Sequence, residues 1–306
     1  MFDKKDTYRR QWSQTDFSQK SVPLSAIVDL PGAKPRAFAI DAPKFRPNDP
    51  RDFFEDDSPV IVIKNHNKTR AYPLSLILYH EVVNDEINGI PIAVSYCGLS
   101  NNTAVYERTV GNIVLDFAPT GKMYKSNTLL CDKNTQSWWC QFTGEALVGR
   151  YTQTTLKSFP HFLLPYSQYK KFDPEGEVLT PTKKSLYEYG TTPFIQYDSQ
   201  PKAPFYRFPY EEGAISPMRY VVDVGGYAIT LDYIKQCKQL QLGNFILSYH
   251  EGMPSVLDEK RIISSRDIGY VSAKNDTGET LPLRMPLAFA YRAFNPDKEI
   301  ISGPTS

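Results

Sequence analysis

The apolar residues of this chain come in short, β-branched runs, each cut off by a turn signal, and that pattern favours strands. Pro59-Val-Ile-Val-Ile-Lys64 ends at the polar turn Asn65-His66-Asn67; Cβ branching suits a pleated surface, and the residues after it suit a reversal. Ile90-Pro-Ile-Ala-Val-Ser-Tyr96 follows Asn88-Gly89, a dipeptide that accepts the positive φ angles of a two-residue hairpin turn. Residues 103–106 and 113–117 flank Val110-Gly-Asn and read as another hairpin, with further strands at 126–132 and 137–142. Helices are few. One opens with Pro73 at its first position and runs through Leu74, Leu76, Ile77 and Leu78; another covers 232–239. With 24 Pro, 20 Tyr and 17 Phe, the composition agrees. The expected class is mostly β (α+β minor), a compact strand-rich body with few short helices.

Residues 1–58 carry turn signals (Pro23, Pro31-Gly32, Pro35, Pro43, Pro47, Pro50) but little periodicity. They read as an extended arm that docks Trp12, Phe17, Val22, Leu24, Ile27, Phe38, Ile40 and Phe45 on a single β-rich domain spanning 59–306. Residues 160–217 are dense in Pro, Tyr and Phe, from Pro160 through Pro204 and Pro209 to Pro217. Aromatics at that density seldom stay in water, so an ordered excursion that lines or covers a pocket is expected. A faint internal repeat relates 59–150 to 218–295. Val60-Ile-Val-Ile and Ala71-Tyr-Pro-Leu74 match Tyr220-Val-Val-Asp-Val and Ala228-Ile-Thr-Leu231. In that register His80 answers Cys237 and Cys97 answers His250.

Lys plus Arg number 35 against 34 Asp plus Glu, a net charge of +1. No global field draws the chain to nucleic acid or an anionic membrane, and Lys183-Lys184 reads as solvated surface. No apolar run approaches the roughly 20 residues of a bilayer span. The start, Met1-Phe-Asp-Lys-Lys-Asp6, has no apolar segment behind it, so a cytoplasmic protein is expected, with an exported mature form as the alternative. Four cysteines in 306 residues suggest free thiols rather than a disulfide scaffold. Phosphate-binding and dinucleotide glycine loops are absent, and no nucleotide cofactor is expected.

Chemistry concentrates in residues 59–149. His80 and Glu81 follow a helix, and Cys97 ends a strand where loops begin; thiols become nucleophiles or metal ligands beside an imidazole. Asn101 and Glu145 could complete such a site. Tyr124, Asn127, Trp139 and Gln141 supply aromatic and amide groups suited to a polar-studded pocket. If the repeat halves pack face to face, His80, Cys97, Cys237 and His250, with Cys140 as a substitute, form a thiolate and imidazole set suited to zinc or copper. The plainer reading packs these residues in the core.

The ordered series Ala71-Tyr-Pro-Leu74, His80-Glu-Val-Val-Asn-Asp85, Gly89-Ile-Pro-Ile-Ala-Val-Ser-Tyr-Cys97, Gly121-Lys-Met-Tyr-Lys-Ser-Asn127, Ser137-Trp-Trp-Cys-Gln141, Thr143-Gly-Glu-Ala-Leu-Val-Gly149 and Phe289-Ala-Tyr-Arg-Ala-Phe294 resembles the bacterial family catalogued as domain of unknown function 3179. That family has no established activity. Its members usually look like Cys-Pro-Leu-Cys-Asn where this chain has Cys97-Gly-Leu-Ser100-Asn101, and Ser-Gln where it has Cys140-Gln141. A Cys-x-x-Cys redox pair is therefore unavailable. Many members also look exported.

The first functional expectation is an enzyme acting on a small organic substrate through a Cys/His-centred pocket, by thiol or transition-metal chemistry. The alternatives are a non-catalytic module for a metal or small ligand and a structural protein.

Overall fold

The N-terminal arm begins with a helix that the arm's turn signals do not announce. The computed structural model describes residues 4–30, 38–48, 54–181, 187–202 and 215–304. Pro31-Gly32, Pro35, Pro50, Lys183-Lys184, Pro204 and Pro209 lie outside the described residues. Helix α1 (Lys4–Gln11) forms because this stretch has neither Pro nor Gly, and Tyr8 anchors it by burial. Tyr8, Trp12 and Phe17 meet Trp138 edge-on at 5.2, 5.4 and 5.4 Å. Lys122 Nζ sits 4.2 Å from the Tyr8 ring centre and 2.5 Å from Asp29 Oδ1, a cation among aromatic faces. Strands β1 (Ile27–Asp29) and β2 (Phe45–Pro47) then join two different sheets. Most expected docking residues do face the body, but the Phe38 side chain is 59% exposed. Its carbonyl, not its ring, engages the protein.

In the body, β3 (Pro59–Asn65) and β4 (Lys68–Pro73) pair antiparallel, and Val60 to Ile63 are wholly buried. Helix α2 (Leu74–His80) follows with Pro73 in extended conformation at its N-cap, one residue before the position expected from sequence. Strands β5 (Val82–Ile87), β6 (Ile90–Cys97) and β7 (Asn102–Glu107) form an antiparallel meander. Asn88 and Gly89 take φ of 49° and 77° at its first turn, as their chemistry permits. Because β6 occupies the backbone of β7, the hairpin expected at Val110-Gly-Asn shrinks. Only β8 (Thr109–Val110) and β9 (Ile113–Val114) pair there, and Phe117 opens the next strand instead. That strand, β10 (Phe117–Tyr124), with β11 (Asn127–Asp132), β12 (Trp138–Cys140) and β13 (Ala146–Val148), makes a sheet ordered β1-β10-β11-β12-β13. Pro119 sits at a register shift in β10, where its missing N–H costs no ladder bond.

The Pro- and Tyr-rich excursion is partly scaffold. Its apolar runs become β14 (Phe162–Pro165) and β15 (Glu177–Leu179), flanking α3 (Tyr166–Phe172), and they complete a sheet ordered β14-β3-β4-β15-β2. Beyond it lie β16 (Val221–Val224), β17 (Tyr227–Thr230), α4 (Leu231–Cys237), β18 (Gln239–Leu242), β19 (Phe245–His250), β20 (Tyr270–Asn275) and α5 (Ala288–Phe294).

The run β16 to β20 has the element order of β3 to β7: a hairpin, a seven-residue helix, then an antiparallel three-stranded meander. His80 and Cys237 both end the helix, and Cys97 and His250 both end the middle strand. The residue after each helix has the same rare backbone: Glu81 at φ 60°, ψ −32° and Lys238 at φ 62°, ψ −41°. Each then accepts an equivalent bond, Tyr96 N–H to Glu81 O at 3.1 Å and Tyr249 N–H to Lys238 O at 2.9 Å. Among the described residues no helix is long and apolar enough to cross a membrane.

Candidate functional site

Strand β6 delivers Cys97 to the interior, where it is 3% exposed. Its Sγ accepts the Thr128 N–H at 3.4 Å and a bond from Ser100. Burial pushes the thiol up; the Ser100 and Thr128 donors oppose this, and the nearby Glu81 carboxylate adds to it. This is the reverse of what activates a thiol. His80 ends α2 with both ring nitrogens engaged. Nδ1 lies 2.5 Å from the Phe38 carbonyl, which only accepts, so Nδ1 carries the proton and Nε2 accepts from Tyr189 O–H at 2.6 Å. Burial lowers its pKa, which favours the neutral ring.

Glu81 is half-buried as a residue, with its carboxyl end enclosed; burial raises its pKa, and the Thr128 hydroxyl donates to Oε2 at 2.5 Å. Strained backbone often marks function. Here the matching geometry at Lys238, an exposed residue, assigns the strain to the helix-to-strand junction instead.

The other sequence candidates divide. Gln141, Asn127 and Asn102 form a buried amide network. Gln141 Nε2 donates to Ser95 Oγ (3.2 Å) and the Asn102 carbonyl (3.0 Å). Gln141 Oε1 accepts from Asn102 (3.0 Å) and Asn127 (2.9 Å). Asn127 also donates to Ser100 Oγ at 2.8 Å and accepts the Phe142 N–H at 3.0 Å. The network ties β7, β11 and the end of β12 together rather than facing a ligand. Asn101 accepts from Tyr96 O–H (2.8 Å) and donates to the Met285 carbonyl (2.7 Å). Trp139 is core, its indole N–H on Asp132 at 3.0 Å. Tyr124 packs against Phe294, and Glu145 is half-buried with its N–H on Thr143 Oγ1.

Cys140 is buried and its thiol raised, chiefly by that burial. His250 is held by Ser272 Oγ at 2.8 Å and stacks on Tyr270, while Cys237 is half-exposed on α4. Among the described residues no three His, Cys, Asp or Glu side chains are placed to share a metal ion. Of the five proposed ligands, Cys97 and Cys140 border the same network around Ser100 and Asn127, while His250 and Cys237 are held elsewhere.

A cleft of about 490 Å³ does lie next to this network, walled by residues the sequence reading passed over. Thr103, Ala104 and Tyr106 of β7 form one side, Phe142 and Thr143 another, and His161, Arg284 and Phe294 close it. His161 Nδ1 faces the Phe159 carbonyl at 3.2 Å, so it holds the proton and Nε2 accepts the Thr103 hydroxyl at 3.1 Å. Burial and, less strongly, the Arg284 charge lower its pKa to about 4. The guanidinium of Arg284 is locked in place. Nε donates to Asp223 Oδ2 (2.8 Å), Nη1 to the Phe142 carbonyl (3.0 Å), and its carbon lies 4.4 Å from the Phe142 ring centre. Phe142 stacks in turn on Phe294 at 4.4 Å. Nη2 has no partner among the described residues.

Sequence signals for this cleft existed. His161 is one of only four histidines, and Arg284 is a lone charge within Leu281-Pro-Leu-Arg-Met-Pro-Leu287. Two other clefts are chemically quieter. In one of about 520 Å³ Arg266 pairs with Asp198 and Arg219 with Asp232, while Lys235 bonds Tyr249 and Asp267 accepts backbone N–H groups of Gly252, Met253 and Gly269. In one of about 380 Å³ the walls are mainly apolar.

A family described as protein of unknown function (DUF3179) matches residues 38–298. The chain belongs to that family. The DUF3179 match runs from Phe38, whose carbonyl holds His80, past Phe294 and Asn295, so every wall of the Arg284 cleft lies within it. No curated protein and no solved structure matches the chain.

Proposed function

We propose that this protein binds a small organic molecule in the cleft between Arg284, Phe142 and His161. The observation that carries the reading is the unspent Nη2 of Arg284, a rigidly held donor at the wall of a cavity of ligand size. Phe142, Phe294 and Leu156 offer an apolar surface beside it. Of the routes named from sequence, the small-ligand module has the most support. Thiol chemistry at Cys97 requires a sulfur that is reachable and readily ionised, and burial works against both. The unpaired state of all four cysteines fits the cytoplasmic expectation.

An enzymatic reading keeps one specific support. The Thr103 hydroxyl points its proton at a neutral imidazole oriented by a carbonyl, the pairing of a hydroxyl nucleophile with a base. Thr103 is as buried as Cys97, however, and burial makes His161 a weak base, so this reading stands second. The test is ligand-dependent thermal stabilisation with a panel of small organic acids and alcohols, in wild type, Arg284→Gln and Cys97→Ala. Binding reports on this cleft if Arg284→Gln abolishes the shifts and Cys97→Ala preserves them. The opposite pattern moves the site to Cys97, and turnover lost in Thr103→Val selects the enzymatic reading.

A further inference from the structure

The chemistry of the cleft restricts its ligand further, and this step rests on the function proposed above. We infer that the head group it selects is a single carboxylate on a flat apolar body, and that a dianionic phosphate is disfavoured.

Among the described residues Arg284 is the one cationic side chain in the cleft's walls, and Asp223 takes its Nε at 2.8 Å. The pair carries no net charge. A monoanion meets two N–H donors on Nη2 with the guanidinium charge behind them, whereas a second negative charge meets the Asp223 carboxylate with no further cation to offset it. The remaining polar walls agree. Thr103 spends its proton on His161 Nε2, leaving that imidazole neutral, and Thr143 is engaged with Cys140. Among the described residues, Ser158 and Thr155 keep free hydroxyls, suited to the second oxygen of a carboxylate.

The body of the ligand is specified by the opposite surface. Arg284, Phe142 and Phe294 form a layered stack, guanidinium on ring at 4.4 Å and ring on ring at 4.4 Å with 14° between planes. Tyr106, Leu156 and Ala104 continue the apolar wall. Phe142 is itself buried within the stack, so the half-buried Phe294 ring is the face a flat hydrocarbon lies against, while its carboxylate reaches Nη2.

The probes are benzoate, benzyl alcohol and phenyl phosphate, titrated into the full chain by ¹H–¹⁵N NMR, with the amides of Thr103, Thr143 and Arg284 as reporters. Benzoate is expected to bind at least about tenfold more tightly than either other probe, the size of one charge-assisted hydrogen bond. Asp223→Asn, which leaves the guanidinium charge uncompensated, should narrow the gap between benzoate and phenyl phosphate. If this variant does not fold, the wild-type ranking alone decides. Benzyl alcohol binding as well as benzoate, or phenyl phosphate binding best, overturns the carboxylate assignment and leaves the cleft as a ligand site. No probe perturbing these reporters overturns both.

Discussion

Replacing Gln141 with leucine severs four buried hydrogen bonds at once, because its amide is shared by Ser95, Asn102 and Asn127. The damage is uneven. Asn127 keeps Ser100, and Ser95 keeps the Ala104 carbonyl. The Asn102 Nδ2 donor loses its partner outright, while its Oδ1 keeps Arg284 Nη1 at 3.4 Å. A stranded buried donor costs about 1–3 kcal/mol and each shared bond less. Leucine fills similar volume, so no large cavity adds to this, and the expected loss is about 4 kcal/mol. For a chain of 306 residues the unfolding entropy near the midpoint is about 0.6 kcal/mol/K, which converts that loss to a drop in Tm of about 6 °C. Equilibrium urea unfolding followed by tryptophan fluorescence gives the free energy, and calorimetry the Tm. Asn127→Leu combined with Gln141→Leu should cost less than the two changes added, since they share one bond. A loss under about 1 kcal/mol, or strict additivity, would refute the keystone role.

Iodoacetamide at neutral pH should label the half-exposed Cys237 first, with Cys97, Cys131 and Cys140 reacting only on unfolding; fast native labelling of Cys97 contradicts its enclosure. The pKa of His161 falls from 6.5 to about 4 on folding, so the unfolded chain binds its proton first, and stability present above pH 6.5 is lost as pH falls towards 4. Between pH 7 and pH 5 this one group removes about 2 kcal/mol; His161→Gln should flatten that part of a urea-measured pH profile. Tyr8→Ala should cost about 3 kcal/mol and shift Trp138 emission as α1 releases; unchanged emission would detach the helix from that indole.

Much of the scaffold is legible residue by residue. The β-branched run at Val60 to Ile63, the Asn88-Gly89 turn and the strands around Leu129 and Trp139 are local signals, and each appears where its chemistry places it. Helix α1 is not legible because, among its described side chains, only Tyr8 is buried. The hairpin at Val110-Gly-Asn was overdrawn because pairing partners are tertiary, and β7 was already paired with β6. The amides and thiols of the 59–149 stretch stand out in the sequence because such groups, when buried, demand partners. Sequence alone could not tell that they satisfy one another. The Arg284 cleft was invisible for a different reason: Thr103, His161 and Arg284 are far apart in the chain and meet only once three separate segments pack.

The most direct test is a crystal structure of the protein soaked with benzoate. Density for the carboxylate within hydrogen-bond distance of Arg284 Nη2, with the ring against Phe294, is the expected result. An empty Arg284 cleft with benzoate ordered beside Cys97 or His80 would contradict it.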